Sequence, residues 1–200
     1  MKIVLPVLVT LAFFGSCTNS PSNKEAPVVK PVIDSTRQKT ENNKFFPVTS
    51  YIKGQLFDII KKGVNPLKYT TIKGHTDSVW LKIELLQETV KEFLEPEIDS
   101  TNLITLFTEK KFLDQTLDAF TFSYDPLDQL PDTMKLLHWD VYVNPESGKV
   151  KRVYMVKSSG NDRTLQLTWI GDKWCKITTL INNPDGSSAV EKEEKITWEY

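Results

Sequence analysis

The sequence is short of histidine and cysteine, with two of each, and short of any charge excess: 25 Lys and Arg face 26 Asp and Glu, a formal net charge of −1. Each scarcity excludes a class of function. His75 sits beside a glycine and His138 lies far along the chain, so no pair stands four apart around a glutamate as a zincin helix requires. Cys17 and Cys175 form no CxxC pair for zinc or redox work. No GxSxG elbow, P-loop or GxGxxG glycine run occurs. The stretch "INNPDGSS" approaches a calcium loop, but Ile181 stands where the first carboxylate should be and no glutamate closes it, so it reads as a hairpin turn. With no basic excess, nothing argues for nucleic acid or for an anionic membrane surface. The sequence therefore carries no catalytic, cofactor or metal signature. What remains, 40% hydrophobic and 26% charged residues, is the profile of an ordinary globular protein. Glycine is also scarce, eight against eleven prolines, which suits one extended segment.

The N-terminus reads as an address. Lys2 is the only charge before Cys17, and "IVLPVLVTLAFFG" follows it as an apolar run. As a helix that run would rise about 20 Å, at about 1.5 Å per residue, against a bilayer core of about 30 Å. A short positive start, an apolar run and the small residues Gly15 and Ser16 are the parts of a secretory signal. The sequence Phe14-Gly15-Ser16-Cys17 resembles the lipobox of bacterial lipoprotein precursors, with Phe14 where leucine is usual. The resemblance covers residues 1–17. It implies cleavage before Cys17, a diacylglycerol thioether on its sulfur and an acyl chain on its new amino group. The competing reading is an ordinary signal peptide with Cys17 a free or disulfide-bonded thiol. Several buried acyl chains, at about 0.8 kcal/mol per methylene, hold a protein stably on a bilayer. Thr18 is not the aspartate that retains enteric-type lipoproteins in the inner membrane, and no acidic cluster follows Cys17. The resemblance thus implies the outer membrane, facing the periplasm.

Residues 17–44 read as a lipidated start and disordered tether. Thr18 to Lys44 has no aromatic residue, and Pro21, Pro27 and Pro31 stiffen its first half. A recognition segment around "APVVKPVI" is the functional alternative. One domain fills residues 45–200. "FPVTSYIKGQLFDIIKKGVNP" predicts a helix begun by Pro47, striped by Val48, Ile52, Leu56 and Ile60, and stopped by Gly63 and Pro66. A hairpin is expected around Gly74. "LKIELLQETVKEFLEP" predicts a second amphipathic helix ended by Pro96, and "DSTNLITLF" a shorter third one capped by Ser100 or Asp99.

From Leu117 the period becomes two. "AFTFSY" alternates, and strands are expected at about 134–144, 149–158, 163–170, 173–182 and 188–200. Four turns, "NPESGK", "SGND", "GD" and "NPDGS", suggest registers: Val143 opposite Val150, Trp139 opposite Tyr154, Val156 opposite Leu165, Trp169 opposite Trp174, Leu180 opposite Val190 and Trp174 opposite Ile196. On those registers Trp139, Tyr154, Trp169 and Trp174 share an apolar face with Arg152 at its edge. His138, Asp140, Tyr142 and Lys157 share the opposite, wetter face with Cys175. The expected fold class is α+β, with N-terminal helices packed on one face of a curved antiparallel meander of about five to six strands. At the level of architecture this resembles the nuclear-transport-factor-2-like and cystatin-like folds, which implies nothing about function.

Two constellations are candidates. Trp139, Arg152, Tyr154, Trp169 and Trp174 would line a helix–sheet cavity, where Arg152 could anchor an anion or stack on an indole. His138, Asp140 and Tyr142 alternate on one strand, where His138 and Asp140 could serve as a base and its orienter, or simply form a solvated polar face. The expected function is a membrane-anchored envelope module that binds a protein, a glycan or a small apolar ligand, with a pocket enzyme or a hydrophobic-ligand carrier as alternatives. One measurement checks the address: intact mass of the mature protein should fit a chain beginning at Cys17 with acyl chains attached. An intact Met1 or an unmodified Cys17 would rule the anchor out.

Overall fold

The computed structural model describes residues 44–160 and 162–198. The expected signal peptide, Cys17 and all of the expected tether but Lys44 lie outside the described residues. Helix α1 spans Val48–Lys62, with Pro47 before it and Gly63 closing it in the left-handed conformation at φ 70°. Val48, Thr49, Ile52, Leu56 and Ile59 are buried, whereas Ile60 is exposed. The buried stripe drifts from Ile60 to Ile59 because 3.6 residues per turn, not four, governs which side chains share a face.

Among the described residues nine strands follow in one antiparallel sheet: β1 (Leu67–Ile72), β2 (His75–Trp80), β3 (Phe107–Asp114), β4 (Ala119–Pro126), β5 (Leu136–Val143), β6 (Val150–Ser158), β7 (Arg163–Ile170), β8 (Trp174–Asn182) and β9 (Ser188–Thr197). Their spatial order is β2-β1-β9-β8-β7-β6-β5-β4-β3. The expected five- to six-stranded α+β meander is thereby corrected to a β-rich fold. The β1–β2 hairpin joins the meander through β9, with Lys68 opposite Ile196. The predicted third helix is replaced by turns leading into β3. Asp99 does accept from the N–H groups of Thr101 and Asn102 at 2.6 and 2.7 Å, but no helix grows from that cap. The β-branched Thr101, Ile104 and Thr105 favour extended chain over helix. The predicted helix over Leu81–Pro96 is also corrected. It is a 3-10 turn at Ile83–Leu85, a single turn α2 at Leu86–Thr89, and a 3-10 turn at Lys91–Phe93. Its apolar period survives in buried Leu86, Val90 and Phe93 while its continuous helix does not.

The registers differ from expectation by one residue, with a physical reason at each turn. Val143 does face Val150, but a bulge between Tyr142 and Val143 then sets Trp139 opposite Met155. Leu180 does face Val190, but an irregularity between Thr179 and Leu180 sets Cys175 opposite Ile196. The turn after β7 holds three residues rather than two, so Trp169 faces Cys175. The turn after β6 is likewise longer, so Met155 faces Leu167. Gly171 in the β7–β8 turn packs close to α1: a Cβ there would lie 2.7 Å from the Tyr51 hydroxyl, which would have to shift. Gln55 of α1 accepts from the Asp172 N–H at 2.9 Å, fixing helix to turn.

A one-residue slip exchanges the faces of a strand. Trp139, Val141, Val153, Met155, Leu167, Trp169, Cys175 and Ile196 therefore share the inner face and form one core with α1, Phe93 and Phe107. Trp139 lies at its centre, stacked on Tyr124 at 4.4 Å and 9° and edge-on to Phe107 at 4.7 Å. Lys157, expected on the wet face, is buried, and its ammonium donates to the Glu92 carbonyl at 3.0 Å and to the Glu92 carboxylate. Cys175 is likewise wholly buried, and burial pushes its thiol well above the usual range. It is an inert core group.

Two stability measurements follow. Trp139→Ala should cost about 3–5 kcal/mol in urea unfolding, while Val190→Ala, at an exposed site, should stay within about 0.5 kcal/mol of wild type. Glu92→Ala, which strips the buried ammonium of its counter-charge, should cost about 3 kcal/mol, more than Lys157→Met, which removes the buried charge itself.

Candidate functional site

Strand alternation carries every second residue of β4, β5 and β6 to the outer face, and there the polar residues join into a chain. Lys110 on β3 reaches Asp125 Oδ2 on β4 at 2.8 Å. Asp125 Oδ1 lies 3.0 Å from His138 Nδ1, and His138 Nε2 lies 3.1 Å from Asp140 Oδ1. Tyr142 donates its hydroxyl to Asp140 Oδ2 at 3.1 Å. The guanidinium carbon of Arg152 lies over the Tyr142 ring, 3.8 Å from its centroid. The run Lys110–Asp125–His138–Asp140–Tyr142–Arg152 alternates charge across four strands.

The electrostatics follow from this packing. The hydrogen bond to Asp140 raises the His138 pKa above 6.5; burial opposes it, and Asp125 adds to it. Burial pushes Asp140 up, but bonds from His138, Ser123 and Tyr142 outweigh it and leave the carboxyl below its usual range. Asp125 is held low by Lys110 first and, against burial, by His138 as well. Burial and then the Asp140 charge push the Tyr142 phenol up. Both ring nitrogens of His138 point at carboxylate oxygens, so the arrangement suits the doubly protonated imidazolium. A general base needs one nitrogen free to face a substrate. His138 has none, and the chain reads as a structural ion ladder.

The other candidates separate by face. Trp139 and Trp169 are fully buried in the core. Arg152, Tyr154 and Trp174 stand half-buried on the outer face, one residue out of the expected phase. The structure thus brings Arg152 to His138, Asp140 and Tyr142, two groups the sequence kept on opposite sides. Lys110 and Asp125 escaped notice, although Thr121, Ser123 and Asp125 alternate with Phe120, Phe122 and Tyr124 and so mark a polar side of β4. One cross-strand row on this face runs Thr121, Tyr142, Arg152, Ile170, Trp174. Beside it lies a cleft of about 250 Å³ lined by Leu117, Ala119, Tyr142, Lys151, Arg152 and Ile170. Two other surface concavities, of about 400 and 520 Å³, lie beside Phe45 and Glu109 and beside Tyr69 and Glu193. Neither is lined by Trp139 or Trp169.

Among the described residues no group of His, Cys, Asp and Glu could hold a metal ion, and no helix is long and apolar enough to cross a membrane. Comparisons with protein-family models, curated proteins and solved structures find no match to this chain.

The ladder predicts a pH response with a definite sign. His138 titrates higher folded than unfolded, so its contribution is complete below about pH 6.5 and is lost as pH rises through the folded value. Asp125 and Asp140 titrate lower when folded, so theirs is complete above about pH 4 and is lost as pH falls through the folded values. Melting temperatures between pH 5 and 9 should fall on the alkaline side for the wild type, and that step should be missing in His138→Gln.

Proposed function

We propose that this chain is a lipid-anchored protein of the bacterial cell envelope, held through Cys17 to the outer membrane on its periplasmic side. Its folded body is a binding module that works through the outer face of the sheet. The anchor rests on the Phe14-Gly15-Ser16-Cys17 motif and on the short apolar run before it. Thr18, in place of a retention aspartate, favours the outer membrane.

The observation that carries the binding reading is the difference between the two faces. On the inner side the indoles of Trp139 and Trp169 are enclosed by Tyr124, Phe107, Phe93 and Trp198 with ring centroids 4.4–5.3 Å apart. Close aromatic packing of this kind argues against a hydrophobic carrier or an enzyme pocket between helix and sheet. On the outer side Tyr142, Arg152, Tyr154, Ile170 and Trp174 remain partly open, amphipathic groups of the kind that dominate recognition surfaces. The partner classes are an envelope protein, a glycan or a small ligand with an apolar part.

Fractionation and capture test the two halves of the reading. Cys17→Ser should move the protein out of the membrane fraction. A domain with its outer face reversed in charge, Lys176→Glu with Lys195→Glu, should keep its near-ultraviolet circular dichroism but lose components retained from native envelopes. Retention of every component by that variant would overturn the outer-face assignment.

A further inference from the structure

The row that bounds the cleft is short of hydrogen-bond acceptors. Thr121 Oγ1 and Arg152 Nε are both enclosed and have no partner, and they flank Tyr142 on either side of β5. A buried donor left unpaired costs about 1–3 kcal/mol, more when it is charged. The Tyr142 hydroxyl donates to Asp140 and the guanidinium carbon lies over the Tyr142 ring, an arrangement in which Arg152 Nε itself has no partner.

The charged side chains that line the cleft are cationic, while the carboxylate of Asp140 stands behind Tyr142. Arg152 and Lys151 both line it, and no acidic side chain does. Lys151 donates to the carbonyls of Leu117 and Asp118 at 2.9 and 3.0 Å, so it braces the β3–β4 turn that forms one wall. That leaves Arg152 as the cation with donors to offer. The remaining lining, Leu117, Ala119 and Ile170, is apolar. At about 250 Å³ the cleft is smaller than the roughly 300–1,000 Å³ of drug-sized sites. It fits one compact apolar group, not a long acyl chain.

We propose that this cleft is a binding site for a small organic carboxylate. The compact apolar or aromatic body lies against Leu117, Ala119 and Ile170, and the carboxylate lies on the guanidinium of Arg152. The planar guanidinium matches a carboxylate with paired hydrogen bonds, and the cation–π contact with Tyr142 holds the group in place before the ligand arrives. The ion ladder then acts as a positioning device, since Asp140 fixes the Tyr142 ring on which Arg152 rests. The proposal gives the outer-face reading a ligand class and rests on it.

Benzoate is the probe, with neutral benzamide as its isostere, titrated calorimetrically into the full chain. Benzoate should bind saturably and about tenfold or more tighter than benzamide. Arg152→Met should weaken benzoate at least about tenfold and leave benzamide unchanged. Leu117→Trp, a substitution at an exposed position that fills the mouth, should weaken both, and it keeps the test decisive should Arg152→Met fail to fold. Absence of saturable benzoate binding, equal affinity for benzamide, or wild-type affinity in either folded variant would overturn the proposal. None of those results bears on the Cys17 anchor or on envelope capture by the Lys176 and Lys195 face, which fail by their own measurements.

Discussion

The bulge between Tyr142 and Val143 decides which side of the sheet β6 presents. Beyond it Tyr142 faces Arg152 and Trp139 faces Met155. Without that extra residue, Arg152, Tyr154 and Val156 would turn inward, and Val153, Met155 and Lys157 would turn out. Much else depends on it. Lys157 is inside because of the bulge, and a buried ammonium must find an anion, which Glu92 supplies from the helical segment that closes the core near Phe93. Arg152 is outside because of the bulge, and it comes to rest on Tyr142 at the end of the ion ladder.

The inner face is held by shape and the outer face by charge. Inside, Trp139 gathers Phe45, Phe107 and Tyr124 around one indole. The Tyr124 hydroxyl extends that cluster to the polar margin, donating to Glu109 at 2.6 Å and accepting from the Phe46 N–H at 3.1 Å. One aromatic residue thereby joins the start of the domain to β3 and β5. Outside, the ladder from Lys110 to Arg152 spans four strands, from an exposed ammonium at Lys110 through the buried Asp140 to the half-buried Arg152. The role of His138 there is to be held, with both nitrogens occupied, rather than to react.

Several elements were legible because their cause is local. Pro47 and Gly63 bound α1, Gly74 turns the first hairpin, and alternation marks β4 and β7. Other elements were not. β3 reads FTEKKFLD, a charged edge strand with no clean alternation, and only its pairing with β4 makes it a strand. The 81–96 segment has a helical period, but its backbone tightens into 3-10 turns while still burying Leu86, Val90 and Phe93. The candidate site was half legible. His138, Asp140 and Tyr142 share a face by alternation alone, whereas Lys110, Asp125 and Arg152 join them only through register.

Composition and local pattern, by themselves, determined the sheet-rich second half, the first helix and most of the turns. Those features depend on residues a few positions apart. Tertiary structure decided the phase of the strands. By unbroken alternation β6 would carry Val150, Tyr154 and Val156 on one side and Val153 and Met155 on the other, so both faces are apolar and neither is favoured by hydrophobicity alone. The choice falls to bulges and to turn lengths. That choice, which no local pattern encodes, set Arg152 beside an apolar cleft and Cys175 in the core.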